Sequence, residues 1–213
     1  MSTLTEISEF LQKGRAKSVR ELVNRALEEG TPAKTILEEG LLPGMSVIGE
    51  KFRKNEVFVP EVLVAARAMN AGIEILKPHL AAGDNTSKGK AVIGTVKGDL
   101  HDIGKNLVKI MLEGKGLEVI DLGVDVSAEQ FVTTAKEQGA QIICCSALLT
   151  TTMGEMKETV EEAKRQGIRD QVFIMVGGAP LTQAFCDQIG ADCYTSDAAS
   201  AASAALEHCQ KCA

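Results

Sequence analysis

The sequence predicts an N-terminal four-helix bundle followed by a flavodoxin-like (Rossmann-like) α/β domain built on a five-stranded parallel sheet. Three patterns lead there: apolar residues recur at helical spacing as far as Leu76, a Gly/Asn/Ser-containing stretch follows, and short apolar runs then alternate with amphipathic segments. The expected boundaries are a helical domain over 1–82, a linker over 83–89 and the α/β domain over 90–213.

In the bundle, Leu4, Ile7, Phe10 and Leu11 share one helical face, and Val19, Leu22, Val23, Ala26 and Leu27 share a second after Gly14. Thr31 and Pro32 read as an N-cap and first-turn pair opening a third stretch, which Gly40 to Gly44 should interrupt before Met45 to Phe52 resumes it. The fourth helix starts near Pro60 and presents Val62, Ala65, Met69, Ile73 and Leu76.

Ala82 to Gly89 has the composition of a flexible linker. Beyond it, strands are expected near 90–96, 117–121, 140–146, 171–176 and 192–195, with helices near 104–115, 127–138, 153–166, 181–188 and 197–209. In a flavodoxin-like order, strands one, three and four end side by side, bringing His101, Ser146 and Gly177 together.

The most informative loop is Gly98 to Gly104, where the strand ending at Val96 gives way to a helix. Ligands of open α/β sheets bind at such loops. A Walker phosphate loop is excluded: five residues separate the glycines, Asn106 stands where that motif has Ser or Thr, and Asp99 and Asp102 would repel phosphate. The loop instead offers His101 with a carboxylate two residues before it, able to accept the proton on the ring nitrogen facing away from a metal. One histidine falls short of a protein-only metal site but suffices as axial ligand to a macrocycle. Taken alone, the loop reads better as a lone histidine that is solvated or caps the following helix.

Composition narrows the partners. A net charge of −6, a pI near 5.2 and 3% aromatic residues with no Trp argue against nucleic acid. The acidic, helical start and the lack of a bilayer-length apolar run predict a cytoplasmic chain without membrane association. Of the six cysteines, Cys144 and Cys145 lie in an apolar strand and should act as reduced small hydrophobes, while Cys209 and Cys212 are expected in a frayed terminus.

Asp99-Leu100-His101-Asp102-Ile103-Gly104 matches a D-x-H-x-x-G signature, Ser146 and Leu148 follow the third strand, and Gly177-Gly178 follows the fourth. In that order, at strand ends, these residues resemble the cobalamin-binding module of methionine synthase and of corrinoid proteins in methyltransferase systems. The resemblance implies a cobalamin with its dimethylbenzimidazole arm displaced and buried, and His101 on cobalt in its place. Gly98, Asp99, Leu100, Asp102, Ile103 and Gly104 would frame the ligand. Ser146 would bond the buried base, Leu148 pack on it, Thr150 contact the cofactor, and Gly177 and Gly178 admit the nucleotide tail. Thr152 falls where methionine-synthase relatives have a serine completing a relay with the aspartate and histidine; one of Thr150 to Thr152 should also cap the third helix of the α/β domain. Met45 to Phe52 and Phe58 to Val62 resemble the family's helical cap, with Phe52 and Val59 over the corrin ring.

The implied function is that of a corrinoid methyl carrier rather than a complete enzyme. It would accept a methyl group on cobalt(I) from a substrate-specific methyltransferase and hand it to an acceptor methyltransferase serving tetrahydrofolate or a thiol cofactor, with a reductive activase as third partner. A cobalamin-dependent sensor is the alternative, although no basic recognition helix accompanies it. A flavodoxin-like electron carrier would want aromatic residues beside a flavin, and Tyr194 is the one tyrosine.

Overall fold

The structure, a computed structural model, describes residues 2–80 and 87–211. Most of the expected linker and Cys212 lie outside the described residues. The chain divides into two compact units, one helical and one α/β.

In the helical unit, α1 (Thr3–Gln12) opens on Ser2, whose Oγ accepts the Thr5 N–H at 3.3 Å. It buries Ile7 and Leu11, while α2 (Ala16–Glu28) buries Val19, Leu22, Val23 and Ala26, the stripes that 3.6-residue spacing dictates. The third stretch differs from expectation. From α3 (Ala33–Thr35) it passes through a π-helical turn (Ile36–Leu41) into α4 (Leu42–Arg53) with no break. Pro43 has no N–H to give the ladder, and the Leu42 N–H reaches five residues back to the Leu37 carbonyl, widening the turn. Gly40 and Gly44 are close-approach positions rather than breakers: an added Cβ would meet Ile7 at 3.3 Å and the Ser8 carbonyl oxygen at 3.0 Å. Thr31 is not the cap either. Pro32 holds the N-cap position without a side-chain bond, its carbonyl accepting the Ile36 N–H at 3.1 Å. Helix α5 (Val59–Leu76) begins after Phe58, whose N–H the Glu61 carboxylate accepts at 2.9 Å.

In the α/β unit, β1 (Lys90–Thr95), β2 (Glu118–Asp121), β3 (Ile142–Ser146), β4 (Phe173–Gly177) and β5 (Cys193–Tyr194) form one parallel sheet in the order β2-β1-β3-β4-β5. The helices α6 (Ile103–Gly114), α7 (Ala128–Gln138), α8 (Gly154–Arg165), α9 (Gln183–Ile189) and α10 (Ala198–Lys211) follow the strands in turn. Ser87 and Gly89, placed by the sequence reading in the linker, are bonded beside the sheet: the Glu118 N–H donates to the Gly89 carbonyl at 2.9 Å.

Parallel strands need cover on both faces, and the side chains show it. Val92, Ile143, Cys145, Ile174 and Val176 pack in one core with Phe131 and Val132 of α7, Met156 and Val160 of α8, and Ile189 of α9. The alternate side chains Ala91, Ile93, Ile142, Cys144 and Met175 are also buried. Right-handed crossovers place α6 on that second face. Burial pushes the Cys145 thiol up to about 12 and raises Cys144 likewise, so these thiols behave as small hydrophobes. Cys209 is buried in α10, contrary to the frayed terminus expected for it. Among the described residues no helix is long and apolar enough to cross a membrane.

Candidate functional site

The sheet register aligns Thr95, Ser146 and Gly177 as neighbours at the carboxyl ends of β1, β3 and β4. The connections after β1 and β3 leave this edge toward opposite faces, which opens a crevice there. The β1–α6 loop turns tightly: Gly98 has φ +79°, and the Asp99 N–H returns to the Val96 carbonyl at 3.1 Å. That turn drives Asp99 inward to complete burial.

The Asp99 carboxylate joins the two loops of the crevice. Its Oδ1 accepts the His101 N–H at 3.0 Å and lies 2.7 Å from His101 Nδ1. Its Oδ2 accepts the N–H groups of Leu148 at 2.8 Å and Leu149 at 3.1 Å, and lies 3.0 Å from Thr152 Oγ1. Burial alone would raise the Asp99 pKa. The backbone N–H groups of His101 and Leu148, the His101 ring and the Leu149 N–H outweigh it and hold the carboxyl well below the usual carboxylate range. An ionised carboxylate only accepts, so Nδ1 of His101 carries a proton, which leaves Nε2 as the nitrogen that a metal can take. Thr95 Oγ1 steadies the same residue from below, donating to the His101 carbonyl at 2.9 Å. The His101 side chain remains 51% exposed.

Around this imidazole the surface is apolar. Leu100 and Ile103 are 71% and 75% exposed, and Leu148, Leu149 and Val124 are also exposed. Large side chains grouped this way on a loop platform mark a surface that a ligand covers. Ser146 is half-buried beside Gly177, where an added Cβ would enter open space. Gly178 meets a need of the fold itself, besides the role expected for it. At φ +142° an added Cβ would collide with the Ala147 carbonyl oxygen, so the backbone of the unit itself requires glycine there.

The remaining expected positions divide by their surroundings. Asp102 is an exposed helix-start residue, accepting Asn106 Nδ2 at 3.1 Å, and Gly104 has open space beside it. Thr150 is exposed; no threonine side chain caps α8, because the Thr152 hydroxyl turns to Asp99. Phe52 lies in the last turn of α4 and Val59 begins α5, both half-buried within the helical unit, whereas neighbouring Phe58 is 63% exposed. Sequence reasoning missed Leu149, which acts through a backbone N–H and leaves no residue-type signal. It also missed Thr95, whose one signal is a hydroxyl ending an apolar run.

Among the described residues no group of three or more His, Cys, Asp or Glu side chains could hold a metal ion. An oriented imidazole on an apolar platform suits a flat metal chelate that brings its own equatorial donors. Fold and site thus define a carrier of a metal macrocycle at a flavodoxin-like switch point. Models of two B12 binding domains match this chain, one over residues 89–206 and the other over 3–77. The chain is 45% identical over 205 residues to dimethylamine corrinoid protein 1 of Methanosarcina mazei, covering 96% of this chain and 94% of that one. With trimethylamine corrinoid protein 1 of Methanosarcina acetivorans it shares 47% over 180 residues, 84% and 83% of the two chains. The methanol:cobalamin methyltransferase complex MtaBC from Methanosarcina barkeri superposes with a TM-score of 0.90 at 31% identity, over 98% of this chain and 80% of that one. The chain belongs to the cobalamin-binding corrinoid proteins of methyltransferase systems, and such proteins work with methyltransferases.

Proposed function

We propose that this chain is a corrinoid methyl carrier in which His101 is the lower axial ligand of the bound cobalamin. When bound, the corrinoid supplies a cobalt centre that takes a methyl group from one substrate and passes it to another. The protein's part is to orient, shield and dock. Asp99 fixes the tautomer and rotamer of His101, and the 2.7 Å contact between them carries the reading. Leu100, Ile103, Leu148 and Leu149 give the ring an apolar seat, and Ser146 and Gly177 leave room for the displaced arm. Thr152 holds the second carboxylate oxygen of Asp99 and offers a path for a proton when the histidine detaches.

Residues 1–82 act as the cap, with Phe52 and Val59 as its ring-facing side chains, on the likeness of Met45 to Phe52 and Phe58 to Val62 to that element. The names of the relatives favour a methylated amine as the methyl source. The donor side is served by a substrate-specific methyltransferase, the acceptor side by a second methyltransferase, with a reductive activase restoring the reduced state, all in the cytoplasm. The test is spectroscopic. His101→Ala, loaded with cobalamin, should show the spectrum of a water-ligated, arm-off form; one identical to wild type would remove His101 from its role.

A further inference from the structure

Two non-glycine residues in the described structure adopt positive φ, Asn55 at +58° and Asp125 at +56°. Asn55 follows the C-cap of α4 and donates to the Phe52 carbonyl at 3.0 Å, an ordinary helix ending. Asp125 ends no helix. It stands in the β2–α7 loop, which runs alongside the histidine loop: Thr95 N–H donates to the Gly123 carbonyl at 3.0 Å, and Val126 N–H to the Thr95 carbonyl at 2.9 Å. Between those contacts, Asp125 Oδ1 accepts the Gly98 N–H at 2.7 Å and its own N–H donates to the Asp99 carbonyl at 3.1 Å. The left-handed conformation lets one residue present its carboxylate and its N–H to successive residues of the neighbouring loop. A strained backbone kept at such a place is a sign of function.

We propose that Asp125 is a positioning residue for axial ligation, bracketing residues Gly98 and Asp99 through the Gly98 N–H and the Asp99 carbonyl so that the Asp99 carboxylate meets His101 Nδ1. This rests on the assignment of His101 as the axial ligand. Asp99 holds its side chain through five donors and its N–H on the Val96 carbonyl, while Asp125 supplies the restraints on the Gly98 N–H and the Asp99 carbonyl. The bond to Gly98 is short, at 2.7 Å. The acceptor is what matters, and an amide oxygen at the same place can replace it.

The test compares three variants in the full chain. Asp125→Asn keeps the acceptor and tolerates positive φ, Asp125→Gly keeps the backbone freedom but deletes the acceptor, and Asp125→Ala loses both. Each is loaded with cobalamin and reduced to cobalt(II), where nitrogen splitting in the electron paramagnetic spectrum reports the histidine-ligated fraction. The ratio of ligated to unligated forms should fall roughly tenfold in Asp125→Gly, the scale of one such hydrogen bond, and further in Asp125→Ala. Asp125→Asn should match wild type. In the cofactor-free protein the Gly98 amide should exchange faster with solvent in Asp125→Gly than in wild type. Wild-type splitting and exchange in Asp125→Gly, or equal losses in Asp125→Asn and Asp125→Gly, would overturn the clamp. Absence of nitrogen splitting in wild type would instead remove the His101 assignment on which it rests.

Discussion

Thr152 Oγ1 stands 3.0 Å from Asp99 Oδ2 and 2.9 Å from the Leu149 carbonyl oxygen, so one hydroxyl proton faces two acceptors. The carboxylate end of this choice restrains Asp99 and the carbonyl end closes the turn before α8. A hydroxyl that can move between two acceptors at little cost is suited to follow a change in proton count on its partner. The threonine methyl adds packing toward Gly98 without altering the hydroxyl's reach.

Thr152→Val should therefore destabilise the cofactor-free protein by about 1–2 kcal/mol, the cost of removing a buried donor from a carboxylate. Thr152→Ser keeps the hydroxyl and should stay within about 1 kcal/mol of wild type. Urea denaturation of both variants measures the difference, and a larger loss in Thr152→Ser than in Thr152→Val would show that the methyl, not the hydroxyl, matters.

Asp99→Asn replaces an acceptor-only group with one whose NH₂ must face either the His101 pair or the Leu148, Leu149 and Thr152 donors. Opposed buried donors should cost roughly 2–3 kcal/mol. The loaded variant should also shift toward the spectrum of His101→Ala, because an NH₂ turned toward His101 takes the acceptor away from Nδ1–H.

Gly177→Ala and Gly178→Ala should separate ligand space from backbone need. The first adds a methyl to open space, and should leave the melting temperature unchanged while weakening cobalamin binding. In the second, the Cβ runs into the Ala147 carbonyl oxygen, and the variant should lose roughly 2 kcal/mol or more of stability without ligand. Thermal melts paired with cobalamin titration distinguish them.

The acid limb of stability should trace partly to Asp121. Burial would raise its pKa, but the Lys105 ammonium at 2.6 Å, the Gly123 N–H and Lys109 together lower it. A carboxylate with a depressed folded-state pKa contributes stability that is present above the unfolded value of 3.8 and is lost as pH falls through the lower folded one. Asp121→Asn leaves the buried Lys105 without its anion and should be less stable at neutral pH. The gap to wild type should narrow below about pH 4 in denaturation curves; a gap constant with pH would refute the assignment.

The proposed cap can be read by light. Phe52→Ala and Val59→Ala, methylated on the bound cobalamin, should photolyse faster than wild type because the departing methyl radical recombines less when less side chain confines it. Unchanged photolysis in both variants would remove these residues from that role.

Period and punctuation alone determined much of this protein. Apolar runs of strand length ending at Val96, Ser146 and Val176 specified the strands, and their alternation with helices implied the sheet order that the registers display. His101 and its neighbouring Asp99 were legible because their relation spans two residues of one loop. What tertiary structure alone decided lies between segments distant in the chain. Gly40 and Gly44 look like helix breakers until α1 is seen against them, and the need of the backbone for glycine at 178 shows only once the Ala147 carbonyl is placed. Thr152 reads as a helix cap until its hydroxyl is found on a carboxylate 53 positions earlier in the chain. Local sequence fixes which backbone conformations a segment prefers, whereas the partner of a buried hydroxyl, N–H or missing Cβ is whichever group the packed fold brings within about 3 Å.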